Sequence, residues 1–304
     1  MTIDINEKKY RTALRRGYLY GYINNEEGWS DSFVGVWVSK HPDCIKVLDI
    51  ICKIGNSTPT WSSFTDSFIK MVRDAILDMV SPNSARTYFA YLKAVLNDMR
   101  YQVDIPCKRY DDILKAKKVA TQNIYLTEDE LSRLEDVEAK TEGEKYVKSL
   151  FLISCYTGCR HSDAMMLDKS NISGNTLSYV SQKTKIESVL PVHRNLPKML
   201  EGYSKRIYMY DDEYNKIIRD MCQRAGINAP CKIVKGGVTK TGEKWEFVAS
   251  HTARRTFASL LYLKGVDVPT IGRFMGHAGD LKMTMRYICC EKELNESQMA
   301  FFCA

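Results

Sequence analysis

Between residues 107 and 122 the chain reads CKRYDDILKAKKVATQ, a polar, lysine-rich and weakly periodic stretch lying between two segments with clear hydrophobic rhythm. Such a stretch reads as an interdomain linker, so two separate cores are expected rather than one. The 304 residues suffice for two domains of ordinary size. The expected division is a first domain over residues 1–110, with 1–25 as a basic N-terminal segment, a linker over 111–123, and a second domain over 124–304 ending in a tail, 291–304.

The first domain reads as helical. In TWSSFTDSFIKMVRDAILDMV (60–80), Phe64, Phe68, Val72, Ala75 and Met79 recur at steps of three and four, which places them on one helix face. Ser81 and Pro82 break that helix and supply a cap and a first-turn proline for the next. That next helix, 83–100, buries Ala85, Phe89, Leu92, Leu96 and Met99 by the same spacing. On its other side Arg86, Lys93 and Arg100 stand seven apart and stack into a basic stripe. A solvated face and a face laid against a polyanion both account for such a stripe.

The second domain mixes elements. Thr127 and Glu130 form the T-x-x-E of a capping box. The segment 146–168 starts as an apolar helix, is punctuated at Thr157-Gly158 and resumes. TLSYVSQKTKIESVLPV then alternates apolar and polar residues around a lysine-bearing turn, a short hairpin, and FVAS (247–250) is a candidate further strand. From Ser250, a candidate N-cap, the chain is again helical. Pro269 opens another helix closed at Gly276, and Tyr287 is placed on a short last helix after Thr284. The fold class expected is mainly α with a small β-sheet.

Composition narrows the function classes. No apolar run approaches the roughly 18 to 20 residues that span a bilayer, and MTIDINEKKYRTALRR lacks the apolar centre of a signal peptide, so a cytoplasmic location with no membrane partner is expected. The ten cysteines are scattered and form no CxxC pair, which reads as reduced thiols. Cys155 and Cys159 lack two further ligands nearby, so no metal is expected. A net charge of +7 decides little; its placement says more. Lys8, Lys9, Arg11, Arg15 and Arg16 cluster at the N-terminus among Tyr10, Tyr18, Tyr20 and Tyr22, which suits a phosphate backbone or a solvated helix face equally.

Three segments carry the chemistry: TGCRHSD (157–163), SQKTK (181–185) and the long stretch 251–287 that opens with HTARRTFAS. His251 and Arg254, at i and i+3, share a helix face near the positive end of the helix dipole, where an anion is favoured. Singly these features are weak. Their joint order, Arg, Lys, His-x-x-Arg, Gly-His, Tyr, resembles that of the tyrosine recombinases, the integrase-like site-specific DNA recombinases of bacterial mobile elements. The resemblance runs from about residue 25 to the end.

The resemblance implies Arg160 and Arg254 as the two catalytic arginines, His251 and His277 as the paired histidines, and Tyr287 as the nucleophile. Lys183 matches the catalytic lysine, with Lys185 its rival on the same turn, and Asp163 falls where the family carries a bracing acid. One departure exists: the stretch from His277 to Tyr287 is one residue longer than the family's commonest spacing. Two always-protonated guanidiniums clamp the oxygens of a phosphodiester, and imidazole donors complete the clamp without a metal or other cofactor. Tyrosine, with an ordinary pKa of about 10, needs a base or a cationic field to attack, and His251 is the family's candidate. Lys183 would protonate the departing 5′ oxygen.

The implied partner is a double-stranded DNA recombination site held by a two-domain clamp. Arg86, Lys93, Arg100 and Arg255 are candidate DNA contacts, although Arg255, like His161, also reads as structural. The implied assembly is a homotetramer on two sites, monomeric when free, with an accessory DNA-bending protein as a further partner. The tail 291–304 either docks on a neighbour or folds back. The nearest alternatives are a type IB topoisomerase, which shares the chemistry, and a DNA-binding accessory protein with a retired site.

Overall fold

The computed structural model describes residues 31–41, 44–201, 207–277 and 279–290. The basic N-terminal cluster and the tail 291–304 lie outside these described residues. The chain forms two compact units: one holds the described residues up to Thr121 together with Lys235–Val238, the other runs from Gln122 to Val234 and from Thr239 onward.

The first unit is helical. Helices α1 (Phe33–Lys40), α2 (Ile45–Gly55), α3 (Asp66–Met79), α4 (Pro82–Met99) and the single turn α5 (Tyr110–Ile113) enclose one core. Its aromatic centre is Phe33, whose ring lies 4.5 Å from Phe64 and 5.9 Å from Trp37. The Ser81 hydroxyl caps α4 by accepting from the Ser84 N–H, and Pro82 fills the first turn. Ala85, Phe89, Leu92, Leu96 and Met99 are all buried, together with Val95.

The preceding helix differs from expectation. It starts at Asp66, after a 3-10 turn at Trp61–Ser63, and buries Ile69, Val72 and Ile76, while Met79 is 56% exposed. The core stripe is displaced by about one residue from the Phe68, Ala75, Met79 face. The 3-10 turn winds more tightly than an α-helix, so the phase set by Phe64 does not carry into α3.

The second unit is built around α7 (Glu142–Thr157), a helix that is charged in its first turns and buried from Leu150 to Cys155. Helix α6 (Glu128–Asp136) enters through the Thr127/Glu130 capping box, and Glu130 also takes a 2.5 Å ion pair from Lys244. Gly158, at φ +66°, ends α7, and the turn α8 (His161–Ala164) follows. A three-stranded antiparallel sheet comes next: β1 (Ile172–Ser173), β2 (Thr176–Val180) and β3 (Glu187–Pro191). Its register pairs Leu177 with Leu190 and Tyr179 with Ser188, all facing the core.

Helices α9 (Leu196–Glu201), α10 (Asp211–Arg224) and α11 (Ser250–Leu263) pack on α7, and α12 (Val268–Phe274) and α13 (Leu281–Met285) complete the unit. A two-stranded ribbon, β4 (Pro230–Lys235) and β5 (Val238–Glu243), turns through Gly236 and Gly237, both at positive φ.

Three local expectations are corrected. FVAS is not a strand: Lys244–Phe247 is a 3-10 turn, and Ser250 already begins α11. The N-cap is accordingly Ala249, whose N–H donates to the Thr252 hydroxyl, while the Ser250 N–H donates to the Asn215 side chain. Tyr287 lies just beyond α13, its N–H bonded to the Thr284 carbonyl.

Candidate active site

Arg254 is the hub of the second unit. It projects from the first turns of α11 and is 1% exposed. Its guanidinium donates to the Gly158 carbonyl, to the Met275 carbonyl at 3.2 Å and to His277 Nε2 at 2.8 Å. The end of α7 and the turn after α12 are therefore tied to one side chain. The approach is close because position 158 is glycine: a Cβ there would stand 2.4 Å from the Phe257 ring.

Among the described residues no carboxylate pairs with Arg254. Burial, followed by the positive charge of Arg160, lowers its pKa, although the Tyr287 phenol acts the other way. A buried guanidinium held only by neutral acceptors is a strained electrostatic state, and an arriving anion would relieve it.

The hydrogen-bond chain fixes the His277 tautomer. Arginine only donates, so Nε2 accepts and the ring proton is on Nδ1, 3.0 Å from the Thr284 hydroxyl. That hydroxyl in turn donates to the Asp280 carbonyl at 3.2 Å. Burial, then Arg254 and Arg160, push the His277 pKa down to about 4, so the ring is neutral at physiological pH.

Tyr287 closes this cluster from its own chain. Its ring lies 5.3 Å from that of His277 in a stacked arrangement and 5.1 Å from the Arg254 guanidinium. The longer stretch after His277 thus still returns the tyrosine to the arginine. The backbone around it is pinned by Ser259, which donates to the Tyr287 carbonyl at 3.4 Å and accepts from the Cys289 N–H at 2.9 Å.

A second group surrounds Arg160, at the start of α8. Its Nη1 donates to the Ser181 hydroxyl at 2.9 Å and stands 4.0 Å from Asp163. Asp163, 3% exposed, accepts from the Ser181 hydroxyl at 3.0 Å and from the Gln182 N–H at 2.9 Å. The turn joining β2 to β3 is thereby fixed immediately before Lys183. Lys183 and Lys185 are both exposed on this turn, and Lys185 is in the left-handed region at φ +55°.

His251 remains solvent-accessible at the start of α11. Partial desolvation, then Arg255, Arg254, Arg160 and His161, lower its pKa. Its imidazole is therefore in the cationic field of both arginines and tends to be unprotonated at neutral pH. Arg255 is half-buried with an unpaired Nε, and His161 lies edge-on to Tyr214 with its Nδ1 buried and unpaired.

The stripe residues belong to the first unit. Arg86 is exposed, Lys93 is half-buried 3.9 Å from Asp111, and Arg100 lies over the Tyr101 ring at 4.5 Å. Sequence reasoning missed Ser181, because a lone serine within SQKTK carries no spacing signal. The carbonyls of Gly158 and Met275 were equally invisible, being backbone groups.

An interlocked arginine, histidine and tyrosine, with a second arginine braced beside a lysine-bearing hairpin, has the chemistry of a candidate anion site with a candidate nucleophile beside it. The chain belongs to the phage integrase family, whose model matches residues 124–293. It is 27% identical over 212 residues to the integrase of Escherichia phage 186, covering 68% of this chain and 56% of that protein. To the integrase of Haemophilus phage HP1 (strain HP1c1) it is 26% identical over 202 residues, covering 65% and 53%. The chain thus spans about half the length of these curated relatives.

Among solved structures, a lambda integrase(75–356) dimer bound to a COC′ core site superposes with a TM-score of 0.61 at 17% identity, covering 86% of this chain and 94% of that one. The XerH site-specific recombinase bound to palindromic difH substrate, in its post-cleavage complex, gives 0.63 at 12% identity, covering 98% and 89%. These likenesses establish the fold. Among the described residues no helix is long and apolar enough to cross a membrane.

Proposed function

We propose that this protein is a site-specific DNA recombinase that cuts and rejoins DNA strands through a 3′-phosphotyrosyl intermediate on Tyr287. The observation that carries the reading is that Arg254 engages both His277 and the ring of Tyr287: a buried, anion-seeking guanidinium packed against the side chain that bears the candidate nucleophile.

In this reading the scissile phosphate enters between Arg160 and Arg254, whose forked donors take its non-bridging oxygens. His277, its Nδ1 proton held by Thr284, keeps Nε2 as the acceptor that orients the Arg254 guanidinium toward the phosphate. His251, unprotonated at neutral pH, accepts the Tyr287 proton. The phenolate oxygen bonds to phosphorus, the bond to the 5′ oxygen breaks, and Lys183 supplies the proton to that oxygen. The phosphotyrosyl ester conserves the energy of the broken link, so a second 5′ hydroxyl rejoins by the reverse exchange.

The DNA partner is a duplex recombination site, and the working assembly is a homotetramer on two sites. Structures of lambda integrase as a dimer on a core site and as a tetramer on a Holliday junction support this reading by analogy of fold. An accessory bending protein and a bacterial cytoplasmic setting are further parts of this proposal. The first domain supplies clamp contacts through Arg86, Lys93 and Arg100, and the second through Arg255.

The test is covalent capture. A pool of nicked duplexes with randomised sequence around the nick is incubated with wild type and with Tyr287→Phe. A denaturant-resistant adduct from wild type alone, mapped to Tyr287, is the expected result. Tight binding without an adduct would leave a DNA-binding protein and sink the catalytic reading.

A further inference from the structure

We propose that Ser181 is a positioning residue for strand cleavage, acting through Arg160. The inference rests on the recombinase reading of the site and adds to it a side chain that the motif does not contain.

The geometry leaves Ser181 one arrangement. Arginine can only donate and an ionised carboxylate can only accept. Arg160 Nη1 and Asp163 Oδ2 stand 4.0 Å apart, too far for a hydrogen bond, and the Ser181 hydroxyl fills the gap at 2.9 Å from the former and 3.0 Å from the latter. Its single proton must therefore point to Asp163 and its lone pair to Arg160. Ser181 is 1% exposed, so water does not compete for either bond.

The same residue closes the hairpin turn with its backbone: its N–H donates to the Ile186 carbonyl, and its carbonyl accepts from the Lys185 N–H, both at 2.9 Å. The other oxygen of Asp163 holds the next residue, Gln182. Ser181 thus joins the turn that bears Lys183 to the guanidinium of Arg160. Among the described residues the remaining Arg160 N–H groups have no hydrogen-bond partner, and its side chain is 14% exposed. One edge of the fork is fixed by protein, and the other is presented outward at an angle that Ser181 sets.

Removing the hydroxyl leaves Arg160 free to rotate and Asp163 short of a donor. A lost hydrogen bond to a charged group slows cleavage on the order of 10- to 100-fold. Threonine retains the hydroxyl and suits the end of a strand. Cysteine retains the size, but its thiol is a weak partner.

The experiment uses a duplex recovered from the covalent capture, prepared also with sulfur replacing the 5′ bridging oxygen of the scissile phosphate. Single-turnover adduct formation at saturating duplex, duplex affinity and thermal midpoint are measured for wild type, Ser181→Ala, Ser181→Cys and Ser181→Thr. The expected result is a 10- to 100-fold slower step in the Ala and Cys variants, unchanged affinity, and recovery in Thr. The defect should persist with the sulfur duplex, because a thiolate leaving group removes the need for a proton donor but not for the arginine clamp.

Cleavage at the wild-type rate by the Ala and Cys variants overturns the proposal. So does failure of a stably folded Thr variant to recover, or disappearance of the defect with the sulfur duplex, which would route Ser181 through Lys183. Should the Ala variant fail to fold, the Cys and Thr pair decides alone. Absence of any wild-type adduct would instead remove the reading of the whole site.

Discussion

At the scale of single residues, Arg254 and His277 describe a site that awaits a charge. A buried guanidinium bonded only to two carbonyls and an imidazole gains from any anion small enough to reach it. Sulfate at constant ionic strength should raise the thermal midpoint of wild type more than that of Arg254→Ala, corresponding to about 1.4 kcal/mol of added unfolding free energy when sulfate is tenfold above its Kd. Equal responses would show that the salt acts only by general exclusion from the surface.

His277 gives a pH test whose sign is fixed. Its folded pKa, about 4, lies below the ordinary 6.5, so the unfolded chain takes the proton first as pH falls. Its contribution is complete above about pH 6.5, shrinks through the window and is gone near pH 4, a change of about 3 kcal/mol. Urea unfolding of wild type and His277→Gln across that range should show a shallower slope in the variant. The other described histidines carry lowered pKa values too and act as a common background.

At the scale of elements, the meeting of α7 with α11 depends on the missing side chain at position 158. Gly158→Ala combines a φ of +66° with a methyl 2.4 Å from Phe257, and it should lower the unfolding free energy by about 2 to 3 kcal/mol, read from a urea midpoint at unchanged m. It should also displace the carbonyl that holds Arg254.

Which elements the sequence made legible follows from how local their causes are. Helix α4 was readable because its cap, its proline and its apolar period all lie within its own residues. Helix α3 was misphased because a 3-10 turn intervened, and the ribbon β4–β5 was overlooked because β5 is exposed along almost its whole length and shows no apolar alternation. FVAS looked like a strand because Phe247 and Val248 are apolar, yet they are the end of a 3-10 turn leading into α11. The order of motif residues pointed to one site, whereas the links that assemble it, Ser181 and the carbonyls of Gly158 and Met275, depend on tertiary neighbours.

At the scale of the whole molecule, the basic stripe and the tyrosine make separable predictions. Each phosphate contact removed lowers the slope of log affinity against log salt by about 0.9. Arg86→Ala should show that full change in duplex binding, with the cleavage rate at saturating duplex unaltered. Lys93→Ala should show less, because Lys93 already lies near Asp111.

Under the proposed recombinase reading, the anchoring of Tyr287 bears on how labour would be divided among protomers. Ser259 and Thr284 hold the backbone on both sides of the tyrosine, within one domain, so the nucleophile has almost no tether with which to visit a neighbour. On the recombinase reading, each protomer is then expected to be self-sufficient for its own cut. Mixing Tyr287→Phe with Arg254→Ala should restore no cleavage, since neither chain can lend the other what it lacks, and diluting wild type with Tyr287→Phe should reduce adduct in direct proportion to the wild-type fraction.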